Sequence, residues 1–365
     1  MSAAAQARRA LDDAREIVTS YRGPRLRIME VCGTHTHEIF RLGLRALLPP
    51  GIELISGPGC PVCVTPVSFI DEACYLAREC GVTLCTFGDL LRVPGTAGSL
   101  ADARSQGARV EIVYTPLDAV AYAAAHPAEE VVFLSVGFET TTPASALAIK
   151  KAAAQALTNF SLLAANKTMD AAYLAMRDSC DAYLYPGHVC AITGARVPRA
   201  LTSRGISGVV AGFTASELLT ALAVILRRSS AAPFFVNCYP RVVTEEGSPA
   251  ARQLLETYFT PVDAEWRGLG VLPQSGLVPA PAYAEFDARR RYTIPPQEGR
   301  TNPACRCGDI LRGACTPADC PLYGKTCTPE HPVGACMVSR EGTCAAWYQY
   351  RGTSAASSGK EDLHG

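Results

Sequence analysis

The chain has 365 residues, 48% hydrophobic and 19% charged, with 34 basic and 34 acidic side chains and a formal net charge of zero. That is the composition of an ordinary folded protein of two or three domains. It has no basic stripe, which excludes nucleic acid as an expected partner. The longest aliphatic stretch, 218–226, is far short of the roughly 20 apolar residues that cross a bilayer. Residues 1–23 lack the apolar centre of a signal peptide, since Asp12, Asp13 and Glu16 interrupt them. They read as an amphipathic surface helix, and the expectation is a soluble, cytoplasmic protein with no membrane contact.

In chain order, short apolar runs at 26–31, 52–56, 83–87 and 110–115 read as strands. A second series follows at 131–136, 161–165, 182–185, 208–211 and 234–237. Helix-like segments at 38–48, 68–79, 144–156 and 215–227 alternate with them. This alternation predicts an α/β protein with parallel sheets covered by helices on both faces. The run divides into two such domains, 24–127 and 128–240. Residues 241–259 look partly helical, and Pro and Gly are frequent from there to 296. A cysteine-rich module follows, and the Ser/Gly-rich residues from Thr353 onward read as disordered.

The chemistry-bearing residues cluster at strand ends. Cys32 follows the first strand, and Cys60 and Cys63 the second. Asp89, Glu139, Asn166 and His188 follow others. In open α/β sheets, ligands bind beyond the carboxyl ends of strands, so these groups should share a cleft. In Cys32-Gly33-Thr34-His35-Thr36-His37, a thiol at a helix start should titrate low, as a thiolate, and the motif reads equally as a structural Cys beside a capping Thr. His35 sits closer to that thiol than His37, which reads as structural. The segment Gly57-Pro58-Gly59-Cys60-Pro61-Val62-Cys63 carries a CxxC between prolines. It reads as a metal chelate, a redox dithiol or a rigid turn, and Cys32 nearby favours metal through three soft thiolates. Asp89, Glu139 and His188 each lie beside a glycine, placed to bond a ligand or move protons.

The protein has 16 cysteines and no export signal, so clustered thiols point to metal or redox chemistry. Seven lie between Cys305 and Cys344, and four of these form a CX14CX6CX16C pattern: Cys305, Cys320, Cys327 and Cys344. Spacing alone allows an iron–sulfur cluster or a zinc site, with Cys307, Cys315 and Cys336 left over. Cys74, Cys80, Cys85, Cys180, Cys190 and Cys238 read as buried apolar residues.

The segments MEVCGTHTHEIFRLGL, ISGPGCPVCVTP, TFGDLLRVPGT, SVGFETTTPA, YPGHVCAITG, NCYPRVVTEEG, WRGLGVLPQSGL and CMVSREGTCAAWYQYR span nearly the whole chain. Together they resemble the HypD family of [NiFe]-hydrogenase maturation factors. The resemblance implies two Rossmann-like α/β domains and a third, loop-rich domain (1–23 with 241–365) holding a [4Fe–4S] cluster. It implies a scaffold on which Fe(II) acquires two cyanides and one carbon monoxide, working with a HypC-like chaperone and a HypE-like cyanide donor. The family's iron-site cysteines match Cys32, Cys60 and Cys63, and its cluster ligands match Cys305, Cys320, Cys327 and Cys344. The polar groups of its cleft match His35, Asp89, Glu139 and His188. The chain departs from the family at Asn166-Lys167, which lacks a preceding His, and at Thr214-Ala215, where Glu-Pro is usual. The rival readings are an iron–sulfur-linked thiol–disulfide oxidoreductase and a zinc-stabilised adaptor.

Overall fold

The computed structural model describes residues 3–350; the Ser/Gly-rich segment from Thr353 lies outside the described residues. Twelve strands are β1 (Leu26–Glu30), β2 (Ile52–Ser56), β3 (Thr83–Thr86), β4 (Val110–Ile112), β5 (Val131–Ser135), β6 (Phe160–Ala164), β7 (Asn166–Lys167), β8 (Ala182–Pro186), β9 (Gly208–Ala211), β10 (Phe235–Asn237), β11 (Phe259–Trp266) and β12 (Gly270–Pro279). Strands β5, β6 and β8 are buried along their whole length, as expected where helices cover both faces. Two sheets are wholly parallel, which makes the protein α/β as expected. The five-stranded sheet runs β10-β9-β8-β1-β2 and the four-stranded sheet β4-β3-β5-β6.

The expected domain limits need correction. The 127/128 boundary falls inside the four-stranded sheet, because Thr83 pairs with Val131 and Leu84 with Val132. Likewise β1 pairs with β8, which joins residues expected in separate domains. The four-stranded sheet is thus inserted between the second and third strands of the five-stranded one. The parts of the expected third domain also separate. Helix Ala3–Thr19 buries Ala14 and Val18 against Leu218 and Leu222 of helix Ala215–Arg228, on the five-stranded sheet. Tyr258, Phe259, Leu277 and Phe286 join the core of the four-stranded sheet. Only the cysteine module remains as a loop-rich unit, with short helices Cys307–Leu311, Ala335–Val338 and Thr343–Tyr350.

A third sheet was not foreseen. Strands β11 and β12 form an antiparallel hairpin, and β7 adds to it through Lys167 opposite Gly276. No helix of the described residues is long and apolar enough to cross a membrane.

Both parallel sheets reverse strand order at one point. In the larger sheet the switch lies between β1 and β8, and in the smaller between β3 and β5. Ligands bind at such switch points, beyond the strand ends. Cys32 and His188 follow the first pair, and Asp89 and Glu139 the second.

Candidate metal centre

Cys32 precedes helix Gly33–Arg41 in extended conformation, which turns the chain off β1. Beyond β2, Cys60 starts the short helix Pro61–Val64, and its sulfur accepts the Cys63 N–H at 3.2 Å. The two loops are locked together, since Gly33 N–H donates to the Gly59 carbonyl at 3.1 Å. A Cβ on Gly59 would lie 2.2 Å from the Cys32 nitrogen, so this approach requires glycine. Cys60 and Cys63 form a disulfide with Cα atoms 5.2 Å apart. Gly33, Thr36, Cys60, Cys63, Leu311 and Glu341 line one small pocket there.

The expectation of a low-titrating Cys32 is corrected. Burial pushes its thiol up to about 12, and Glu341 and Glu30 raise it further, against the lowering effect of the His35 and Thr34 backbone N–H groups. Desolvation outweighs the helix start. Beneath Cys32, the Glu30 carboxylate accepts hydrogen bonds from Ser56 Oγ and from Thr36 Oγ1, the latter at 2.6 Å. Burial moves it up to about 7.

His35 is fully buried, and burial lowers it to about 4, so it is neutral at pH 7. Its Nε2 lies 3.0 Å from the Gly212 carbonyl. A carbonyl only accepts, which assigns the proton to Nε2 and leaves Nδ1 a bare acceptor; that atom has no partner. Phe213 is sandwiched between His35 and His188, at 4.6 and 3.9 Å between ring centroids. His188 itself is exposed, so it lies on the outer side of this stack. His37 instead bonds Tyr350 at 2.9 Å, a structural contact as expected.

Glu139 is 3% exposed. Its Oε1 accepts the Met169 N–H at 2.8 Å, and its Oε2 has no partner. Burial, then the charge of Asp170, pushes it up to about 8. Tyr173, Asp170 and Cys190 share its electrostatic environment, and Cys190 also feels Cys32. Asp89 is exposed; burial, and after it the charge of Asp89, raises the carboxyl of Glu341. Asn166 is structural, bonded to Ser135 and Thr142. The six scattered cysteines form no disulfide; Cys74, Cys85 and Cys190 are buried, whereas Cys80, Cys180 and Cys238, expected to be buried, are half-buried.

In the module, Cys320, Cys327 and Cys344 are buried and Cys305 half-buried, within one apolar cluster that also holds Cys60 and Cys63. Cys305 feels the charges of Cys320 and Cys327, and Cys327 those of Cys344 and Cys320. No group of three or more His, Cys, Asp or Glu among the described residues is arranged around a single ion. Sequence reasoning missed four features. Cys307 and Cys336, left over by spacing, place their sulfurs 2.8 Å apart. Ala335, next to Cys336, has its carbonyl 3.9 Å from Cys63 Sγ. Glu341 was also missed, although a carboxylate three residues before Cys344 was a usable signal. Glu30, a charge inside an apolar strand, was another.

Comparison with known proteins bears on this arrangement. A family model described as "HypD: Hydrogenase formation hypA family" matches residues 6–351. The chain is 44% identical over 335 residues to "Hydrogenase maturation factor HypD" of Escherichia coli K12, covering 89% of each. It is 44% identical over 337 residues to "Hydrogenase expression/formation protein HupD" of Azotobacter chroococcum, again covering 89% of each. To the HypD of Rhizobium leguminosarum bv. viciae it is 43% identical over 336 residues, covering 88% of this chain and 87% of that one. The strand-end cysteines, the CxxC and the cysteine module therefore sit in a chain that belongs to the HypD family of hydrogenase maturation factors.

Proposed function

We propose that this protein is the cytoplasmic scaffold on which iron acquires two cyanides and one carbon monoxide for a [NiFe] hydrogenase, with a HypC-like chaperone and a HypE-like cyanide donor. The observation that carries this reading is the locking of the Cys32 loop onto the Cys60–Cys63 loop at the switch point of the larger sheet. Soft thiolates suit low-valent iron bearing cyanide and carbonyl. Cys32 is the constant anchor, and Cys60 and Cys63 join it when reduced. Cys32 gives up its proton on binding, as thiol ligands do.

Cyanide carried as a thiocyanate needs two electrons to leave as cyanide. The Cys60–Cys63 dithiol supplies them. The donor's S–CN bond breaks, an Fe–C bond forms, and the donor sulfur leaves as a thiol. The dithiol becomes a disulfide and releases two protons, of which the donor sulfur keeps one. The disulfide seen here is the form that step leaves. On this reading Glu139, Asp89, His188 and His35 bond the ligands or move protons.

The chemistry of the donor set fits a [4Fe–4S] cluster on Cys305, Cys320, Cys327 and Cys344. These are four thiols sharing one apolar cluster, and a cubane binds one thiolate at each iron corner rather than all around one ion. When bound, it supplies single electrons. The Cys307–Cys336 contact favours a second reading, a thiol–disulfide oxidoreductase without iron in the cleft.

Infrared spectra of anaerobic protein co-expressed with both partners separate the two. Two cyanide bands and one carbonyl band are expected, lost in Cys32→Ala while the cluster's visible absorption stays. Bands that persist in that variant, or a silent region with the absorption intact, would overturn the scaffold reading.

A further inference from the structure

A cavity of about 910 Å³ opens beside the cysteine module, within the size range of small-molecule sites. Its walls come mainly from four stretches of chain: 94–97, 267–268, 332–334 and residues within 300–309. None of Cys32, Cys60 or Cys63 lines it, so it is separate from the candidate metal centre. Two arginines do line it. Arg267 is 8% exposed and firmly held: its backbone N–H donates to the Val64 carbonyl at 2.8 Å, and its Nε to the Thr65 carbonyl at 2.9 Å. Its buried Nη2 has no partner. The adjoining turn is fixed as well, since Arg312 donates to the Gly268 carbonyl and a Cβ on Gly268 would lie 2.6 Å from the Gly308 Cα.

Arg300 is exposed, and its backbone N–H donates to Thr96 Oγ1 at 2.8 Å. Its guanidinium makes no ion pair among the described residues. The single acid in the lining, Asp309, is already held by Arg306 at 3.0 Å and by Arg312. The cavity therefore presents two guanidinium groups without a carboxylate to balance them, one of them out of water. A buried donor left unpaired is costly, so its presence calls for a bound group that accepts from it. The space is far larger than one inorganic ion fills. Val67, Pro94, Pro332 and Val333 also line it and offer an apolar surface to a carbon skeleton.

We propose that the cavity binds a small organic acid carrying two anionic groups, one taken by Arg267 and the other by Arg300. Guanidinium is a planar fork that matches carboxylate or phosphate oxygens. The inner anionic group satisfies Nη2 of Arg267 where water does not screen the attraction, and the outer one meets Arg300 at the rim. The walls belong to the loop after β3, the turn between β11 and β12, and the cysteine module. A bound acid therefore ties these three parts together and stabilises the folded chain by mass action. The site holds whether or not iron occupies the cleft.

The test uses the full-length protein, purified anaerobically, with ionic strength held constant by sodium chloride. Succinate, 3-phosphoglycerate and acetate are titrated by calorimetry. At least one of the two dianions should bind saturably and about 10-fold more tightly than acetate, the scale of one charge-assisted contact. If succinate is the tighter, the natural ligand's outer group is a carboxylate; if 3-phosphoglycerate is, it is a phosphate. Arg300→Glu should erase the preference over acetate. Arg204→Glu, the same change of charge at an exposed residue outside the cavity, should leave it intact. Hydrogen–deuterium exchange should slow in 94–97, 267–268 and 300–309 when the dianion is bound. No saturable binding of either dianion, acetate binding equally well, indifference to Arg300→Glu, or slowing confined to other segments would each overturn the proposal.

Discussion

Gly59 has no room for a methyl group, because its missing Cβ would point into the Cys32 backbone. Gly59→Ala should cost about 1–3 kcal/mol, as overpacking against immobile backbone does, and urea titration would measure it. An unchanged midpoint would mean that the two loops are not locked. Glu139 is the other exacting residue. Its carboxyl titrates near 8 when folded, against 4.5 when free. Between those values the unfolded chain has lost its proton and the folded chain has kept it. Stability therefore falls as pH rises from about 4.5 to about 8, by on the order of 3 kcal/mol at pH 7. Glu139→Gln keeps an acceptor for Met169 and should flatten that decline; parallel pH profiles for variant and parent would assign it to other groups. The sequence made the cysteines, His35 and the glycine-flanked acids visible, because rare residue types stood at strand ends. It did not make the protonation of Cys32 visible, since the thiol's surroundings include Glu341, which lies some 300 residues away in the chain.

At the scale of elements, strand positions were legible to within a residue or two for most strands, since buried parallel strands read as continuous apolar runs. Three of the four expected helices were equally legible, at Val67–Glu79, Thr142–Ala154 and Ala215–Arg228. The expected helix 38–48 instead starts at Gly33 and ends at Arg41, where Gly43 takes φ +63 and a separate 3-10 turn follows. The hairpin of β11 and β12 escaped notice because its exposed residues alternate with few apolar ones, and Pro261 and Pro279 argued against strand. The departure from the family at Thr214-Ala215 has a local explanation. Thr214 caps helix Ala215–Arg228 in a reciprocal box with Glu217, which also holds Arg241 at 2.7 Å. Thr214→Ala should lower stability by about 1 kcal/mol, and Thr214→Asp should preserve it, as read from melting temperature. Equal losses in both variants would show that the cap is not what Thr214 provides.

At the scale of the whole molecule, the sequence revealed two sheets but not their interleaving. Chain order suggests consecutive domains, and only pairing, such as Ile28 opposite Ala182, shows that the larger sheet closes after the smaller one is complete. Residues 24–127 expressed alone should therefore stay unfolded by circular dichroism. In that fragment β1 lacks β8, and β3 lacks β5. A cooperative melt from that fragment would contradict the pairing.

The insertion has a mechanical side. The chain crosses from the larger sheet to the smaller through residues 57–66, and that strap carries both sulfurs of the CxxC. When the disulfide is present the strap is cross-linked into a stiff ring; when it opens, the same residues regain torsional freedom. The strap between the two sheets thus gains a cross-link with each electron pair it gives up and loses one with each pair it takes on.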